Sequence, residues 1–283
     1  MNNLRFGLPS KGRLAEDAAE LVTQAGLSFS RQERSLFARV SELPVDITFL
    51  RTEDIPVLCA EGAIDMGITG GDLIEEAGVD LITRLSLGFG RCRLSVCVPE
   101  GSPFQTAADL AGCRIATSFT QVTERFFQKL GASIHLVALS GSVEIMVSLG
   151  VADGIVDLVQ TGSTLAANGL RVLTDIGQYE TVLVQNRTGR HTDIADRVVR
   201  RLQGVVIARD WSLLDYNVPK EKLADATRIT PGFNSPTVNS LEDECWCAVR
   251  VMVRRSELIE VMDRLEAIGA TAILEMRINN CRL

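Results

Sequence analysis

Residues 144–165 read Glu-Ile-Met-Val-Ser-Leu-Gly-Val-Ala-Asp-Gly-Ile-Val-Asp-Leu-Val-Gln-Thr-Gly-Ser-Thr-Leu. Their types suit the holding of a phosphorylated sugar. The β-branched run Ile155–Val159 reads as a buried strand carrying Asp157, and Thr161, Gly162, Ser163 and Thr164 then open a helix. Unpaired N–H groups at a helix start, three hydroxyls and a glycine that permits close approach make an anion cradle. The helix dipole adds a favourable potential there. Asp153 and Asp157 stand just before the cradle in sequence. Carboxylates repel phosphate, so they call for another partner. The 2′- and 3′-hydroxyls of a ribose supply one, with the 5′-phosphate in the cradle. The same residues also read as an N-cap cluster beside a turn aspartate, with no ligand.

Cations recur at turns. Leu8-Pro-Ser-Lys11-Gly-Arg13-Leu14 puts two in a strand-to-helix turn, and Arg51 sits at another strand end. Cations near a helix start oppose its dipole. An anionic ligand accounts for them, as does simple solvation of the turns. No GxxxxGK[ST] occurs, and Gly88-Phe-Gly90 lacks the third glycine of a dinucleotide fingerprint. Only two histidines are present, His135 and His191, which excludes a three-histidine zinc site. The seven cysteines show no CxxC spacing and mostly sit in apolar runs, as structural thiols of a reducing compartment do.

The elements that position these groups alternate. Strands are expected at Leu4–Leu8, within 36–50, at Ile64–Ile68, Leu94–Val98, Arg114–Ala116 and Ile155–Val159. Helices are expected after Leu14, over 53–61, from Gly71, over 122–130 and 142–149, and from Gly162. Such alternation implies βαβ units and a mostly parallel sheet. A faint repeat supports two similar lobes facing a cleft. Glu61-Gly-Ala-Ile-Asp65 with Thr69-Gly-Gly-Asp-Leu73 matches Leu149-Gly-Val-Ala-Asp153 with Thr161-Gly-Ser-Thr-Leu165. Residues 211–240 are rich in turn formers. A strand (Cys245–Val253), a helix from Ser256 and a final alternating strand then form half of a ferredoxin-like domain, with a linker expected near 206–212.

The chain has 283 residues, 46% hydrophobic and 23% charged, and a net charge of −7. That length suggests about two domains and a small third. The charge leaves no global field to gather nucleic acid or anionic lipid, so any phosphate must be held locally. No apolar run suits a signal peptide or membrane span, and a soluble cytoplasmic protein is expected.

Residues 144–165 resemble the signature of the ATP phosphoribosyltransferase family, the first enzyme of histidine biosynthesis. The match falls on Glu144, Gly150, Ala152, Ile155, Asp157-Leu158, Thr161-Gly162 and Thr164-Leu165. Lys11-Gly-Arg-Leu14, the segment Arg51–Asp72, Leu87–Cys92, Arg114–Ser118 and Pro231–Val238 resemble further family segments. Thr120-Gln121 departs from the family's Pro-like turn.

The resemblance implies a two-lobed type II periplasmic-binding-protein-like α/β catalytic region plus a C-terminal ferredoxin-like, ACT-like regulatory domain. Lobe I is expected over 1–90 and 178–208, lobe II over 91–177 and the regulatory domain over 212–283. It further implies ATP and phosphoribosyl pyrophosphate as substrates, Mg²⁺ held mainly by pyrophosphate, histidine as inhibitor, and dimers and hexamers. The site expected combines Asp153, Asp157, Lys11 and Arg13 with Thr161, Gly162, Ser163, Thr164, Arg51, Asp72 and Glu144. A cytosolic binding or regulatory protein of the same fold, without catalysis, is the alternative.

Overall fold

Among the described residues, apolar side chains along fifteen strands build three sheets. The computed structural model describes residues 3–31, 35–160, 162–189 and 191–282. The chain divides into two units, Met1–Glu20 with Leu27–Asp196, and Leu21–Gly26 with Arg197–Leu283.

The first unit holds two lobes. Its strands are β1 (Leu4–Pro9), β2 (Phe37–Arg39), β3 (Val45–Leu50), β4 (Met66–Gly70), β5 (Ile82–Ser86), β6 (Cys92–Pro99), β7 (Arg114–Thr117), β8 (His135–Ala138), β9 (Gly154–Val159), β10 (Leu170–Tyr179) and β11 (Thr181–Gln185). The intervening helices are α1 (Ala15–Gln24), which continues into the second unit from Leu21, α2 (Asp54–Ala60), α3 (Gly71–Ala77), α4 (Thr120–Lys129) and α5 (Ser163–Ala167). The first sheet runs β2-β3-β1-β4-β11-β5 and the second β10-β6-β9-β7-β8. Each has three parallel strands at its heart, β3-β1-β4 and β8-β7-β9, flanked by an antiparallel strand, β11 or β6. Strands covered on both faces read as apolar runs, and all five residues of β4 are buried.

The repeat has a physical counterpart. Ahead of β4, Asp65 accepts from the Arg5 backbone N–H at 2.7 Å and from its guanidinium at 3.1 Å, while Arg5 donates to the Gly62 carbonyl. Ahead of β9, Asp153 accepts from the Arg114 backbone at 2.9 Å and its guanidinium at 2.9 Å, while Arg114 donates to Gly150. One staple thus ties the entry of the third parallel strand to the central strand in both lobes.

Two expectations are corrected. The helix expected over 142–149 is only a 3₁₀ turn, Val143–Ile145. Left-handed backbone at Ser142 (φ 52°) and Gly150 (φ 68°) brackets the segment, and so short a run cannot offset helix nucleation. The linker expected near 206–212 is absent. Helix α6 (Thr192–Asp210) runs directly into β12 (Trp211–Pro219). Buried Leu202, Val205 and Ala208 continue the helical spacing, and buried Leu214, Tyr216 and Val218 alternate along the strand.

The second unit adds α7 (Leu223–Ile229), β13 (Thr237–Ser240), β14 (Trp246–Arg254), α8 (Leu258–Ala267) and β15 (Thr271–Arg277). Its sheet, ordered β13-β14-β12-β15, is antiparallel throughout. This is a complete βαββαβ unit of ferredoxin-like pattern, twice what the turn-rich sequence suggested. Tyr216, Val249, Val251 and Leu265 centre its core.

Candidate functional site

The end of β9 delivers an acid and then a turn. Asp157 lies on β9, and its Oδ1 accepts the Leu158 N–H at 2.8 Å. Burial, with the nearby Glu144 charge adding, holds its carboxyl above the ordinary range. Glu144, in the 3₁₀ turn ahead of β9, is thus near enough for its charge to act on Asp157. Gly162 has φ +79° and nothing within 4 Å of where a Cβ would sit, so that backbone can be approached closely. Ser163 and Thr164 follow as the first residues of α5, which buried Leu165 anchors. Thr161 lies outside the described residues. On neighbouring β6, burial and the charges of Asp157 and Asp175 push the Cys97 thiol up to about 12, which favours its protonated form.

Asp153 does not join them. It precedes β9, whereas Asp157 lies four residues further on, about 13 Å away at the rise of a strand. The Arg114 guanidinium and backbone N–H hold its carboxyl below the ordinary range. The expectation of paired ribose acceptors is corrected for this reason: Asp153 is committed to Arg114 ahead of β9, well along the strand direction from Asp157.

The equivalent turn of the first lobe is built differently. Gly70 and Gly71 lead into α3 as Gly162 and Ser163 lead into α5. Asp72 then stands where the second lobe has Thr164. The side chain of Asp72 folds back over the turn, since a Cβ at Gly70 would meet its Oδ1 at 2.0 Å. It is 1% exposed, and Oδ1 has no hydrogen-bond partner among the described residues. Burial raises its carboxyl, against the pull of Arg13.

Arg13 is the cation of this cluster. It donates to the Gly90 carbonyl at 3.1 Å and to Cys92 Sγ at 3.5 Å, and lies 3.8 Å from Asp72 Oδ2. Lys11 and Arg51 are exposed. Gly90, Cys92 and the buried Thr181 hydroxyl, which has no partner among the described residues, were not singled out as site residues by sequence reasoning. The signals available were the Gly88-Phe-Gly90 pair and the resemblance of Leu87–Cys92 to a family segment.

The chain passes between the sheets twice, from β5 to β6 and from β10 to β11. These crossovers pair through Thr181 N–H to the Phe89 carbonyl at 3.0 Å and Leu87 N–H to the Thr181 carbonyl at 3.0 Å. Beside them opens a cavity of about 580 Å³ lined by Arg91, Cys92, Arg93, Val159, Gln160, Gln178, Tyr179 and Glu180. Gln160 directly precedes the turn after β9. Among the described residues no trio of His, Cys, Asp or Glu gathers to cage a metal.

Comparison with known proteins adds an independent line. The family model described as ATP phosphoribosyltransferase matches residues 51–204, and that of the HisG C-terminal domain matches 208–280. The ATP phosphoribosyltransferase of Rhodopirellula baltica is 65% identical over 280 residues, covering 99% of this chain and 94% of its own. That of Yarrowia lipolytica is 38% identical, covering 100% and 97%. Among solved structures, the ATP phosphoribosyl transferase (HisG:HisZ) complex from Thermotoga maritima superposes at a TM-score of 0.65 with 29% identity, over 72% of this chain and 97% of that one. The substrate-binding protein of an amino acid ABC transporter shares the fold, at a TM-score of 0.50 and 14% identity, over 73% and 94% of the chains.

Proposed function

The chain belongs to the ATP phosphoribosyltransferase family, and from that premise we propose which of its residues carry the transfer. The reaction is that of a pentosyltransferase of histidine biosynthesis. Adenine N1 of ATP bonds to the anomeric carbon of phosphoribosyl pyrophosphate as the bond to pyrophosphate breaks, giving N1-(5-phosphoribosyl)-ATP. A sugar cation with an inverting centre needs alignment of nucleophile and leaving group, and neutralisation of the leaving charge, more than covalent help.

The second lobe's turn takes the 5′-phosphate on the N–H groups and hydroxyls of Thr161, Gly162, Ser163 and Thr164. One observation carries this reading. The two lobes present matching turns, and only the first is filled by a carboxylate, Asp72. A phosphate is repelled there and admitted where Thr164 stands. Asp157 accepts from the ribose hydroxyls and, when ionised, stabilises positive charge developing at the sugar. Glu144 contributes a second polar contact. Asp153 is released from the sugar to its staple. The unpartnered Oδ1 of Asp72 accepts from a substrate hydroxyl or amine, while Arg13 orients that acid. Lys11 and Arg51 face the polyphosphates.

Mg²⁺ suits this donor set as a guest of the substrate. It is satisfied by phosphate oxygens, waters and one or two carboxylates, and it would neutralise the departing pyrophosphate, with Asp157 and Glu144 the acids at hand. The βαββαβ unit and the HisG C-terminal domain match support histidine-responsive regulation from 212–283. The exposed apolar Leu274 and Met276 on edge strand β15 support assembly into dimers and hexamers. No described helix is long and apolar enough to cross a membrane, in keeping with a cytoplasmic enzyme.

The test transplants the first lobe's acid. Thr164→Asp should raise the KM for phosphoribosyl pyrophosphate at least about tenfold, the equivalent of roughly 1.4 kcal/mol of lost binding, with the KM for ATP much less affected. An unchanged KM for the pyrophosphate substrate would sink the assignment of the turn.

A further inference from the structure

Helix α4 lacks a cap of its own. Its N-cap residue is Phe119, which offers no side-chain acceptor, although helix starts favour Ser, Thr, Asp or Asn there. The acceptor comes instead from the other lobe. Glu76 on α3 takes the Gln121 N–H on Oε1 at 2.9 Å and the Val122 N–H on Oε2 at 3.0 Å, with the Thr120 hydroxyl on Oε1 at 3.2 Å. Both carboxylate oxygens are thus committed to one helix start, where the dipole favours negative charge.

The rest of α3 strengthens this joint. Leu73 packs against the second lobe's core around Phe119 and Val122. The Arg125 guanidinium donates to the Glu75 carbonyl at 2.6 Å, and the Tyr179 hydroxyl donates to Glu75 Oε2 at 2.6 Å. One turn earlier, on the same helical face as Glu76, stands Asp72. The helix that carries the first lobe's site acid is therefore the helix clamped to the second lobe.

We propose that Glu76 is a positioning residue: by capping α4 from across the two lobes, it holds α3, and with it Asp72, in one fixed arrangement against the second lobe. This rests on the reading that both substrates bind between those elements. The joint is largely polar, so it can part and re-form as substrates enter and products leave, with the carboxylate as its catch. When it parts, α4 loses its cap and the competent arrangement loses population. Apparent affinity falls by that fraction while the saturated rate is kept.

The experiment uses the full chain and its Glu76→Ala and Glu76→Gln variants. One cap is worth about fivefold in an equilibrium. Glu76→Ala should therefore raise the KM for both substrates, by up to about fivefold, with kcat within about twofold, and amide exchange at Gln121 and Val122 should quicken. Glu76→Gln keeps one acceptor and should fall between, and it answers the question if the alanine variant fails to fold. Unchanged exchange would show that Glu76 is not the working cap. Faster exchange with unmoved KM values, or a fall in kcat alone, would equally overturn the proposal. Asp157→Asn, assayed alongside, separates the two readings: normal kinetics there refute the substrate site, whereas the exchange readout tests the clamp without substrate.

Discussion

Substituting Asp153 and Asp65 in parallel distinguishes a staple from a catalytic acid. Asp65 accepts three N–H bonds from Arg5, at 2.7, 3.3 and 3.1 Å, with its side chain only 6% exposed. Asparagine keeps one acceptor for the backbone N–H but loses the charge. Replacing charge-assisted bonds by one neutral bond costs about 2–3 kcal/mol. In the second lobe both partners are more than a third exposed, 48% for Arg114 and 37% for Asp153. Solvent screens that pair, so Asp153→Asn should loosen the lobe less than Asp65→Asn loosens its own. Neither variant should change kcat/KM by more than about threefold, since each staple sits at the entry of its strand, away from the turn. Trp211 and Trp246 both belong to the second unit, so their fluxes of fluorescence report elsewhere. Amide exchange along β1, β4, β7 and β9 is the stability readout, and the absorbance of phosphoribosyl-ATP follows turnover. A tenfold loss of kcat/KM in Asp153→Asn with unaltered exchange would return Asp153 to the sugar and refute the reasoning.

Asp157→Asn should lower kcat by an order of magnitude or more, as removal of a charge-stabilising group does; a rate near that of the parent enzyme removes its role. Burial raises the Asp157 carboxyl, so the active, ionised form is lost as pH falls through a value above the ordinary carboxylate range. Stability runs the other way. The charge is penalised in the folded state, so this group's contribution declines as pH rises from the unfolded value through the folded one, and is neutral below both. The acid limb of the kcat profile should disappear from whatever activity Asp157→Asn retains. Gly90→Ala places a Cβ 2.4 Å from Thr181 Oγ1 and 2.6 Å from Leu14 Cδ2 at φ +66°. Left-handed strain of about 1–2 kcal/mol and overpacking of about 1–3 kcal/mol should show as faster exchange at Thr181, and the KM values should rise as Arg13 loses its carbonyl.

Much of this was legible in the chain. Ile155–Val159 and the residues after it announced strand, acid and turn, because a buried β-branched run has few other uses and glycine at a helix start has a steric reason. The repeat of Asp65 and Asp153 was also visible, but its meaning was not. A sequence places Asp153 near Asp157 in number, while the strand between them carries the two apart. Asp72 was recognisable as a polar residue of the second block, yet its folding over Gly70 depends on backbone direction that no spacing states. Glu76 was invisible, since its partners lie some forty-five positions away and a glutamate on a helix is ordinarily solvated. The break near 206–212 failed because turn-forming residues farther on masked an alternation that begins at Trp211.

The crossovers fix an order of birth. Strand β11 sits between β4 and β5, pairing Val182 with Thr69 and with Ser86. The first sheet therefore stays split, with β5 unattached, until the chain has been made past Gln185. All five strands of the second sheet lie within one uninterrupted stretch, Cys92 to Tyr179. On the ribosome the lobe with the later sequence can close first, offering α4 and its uncapped start to a partner still waiting for its last strand. The lobe begun first is the lobe finished last.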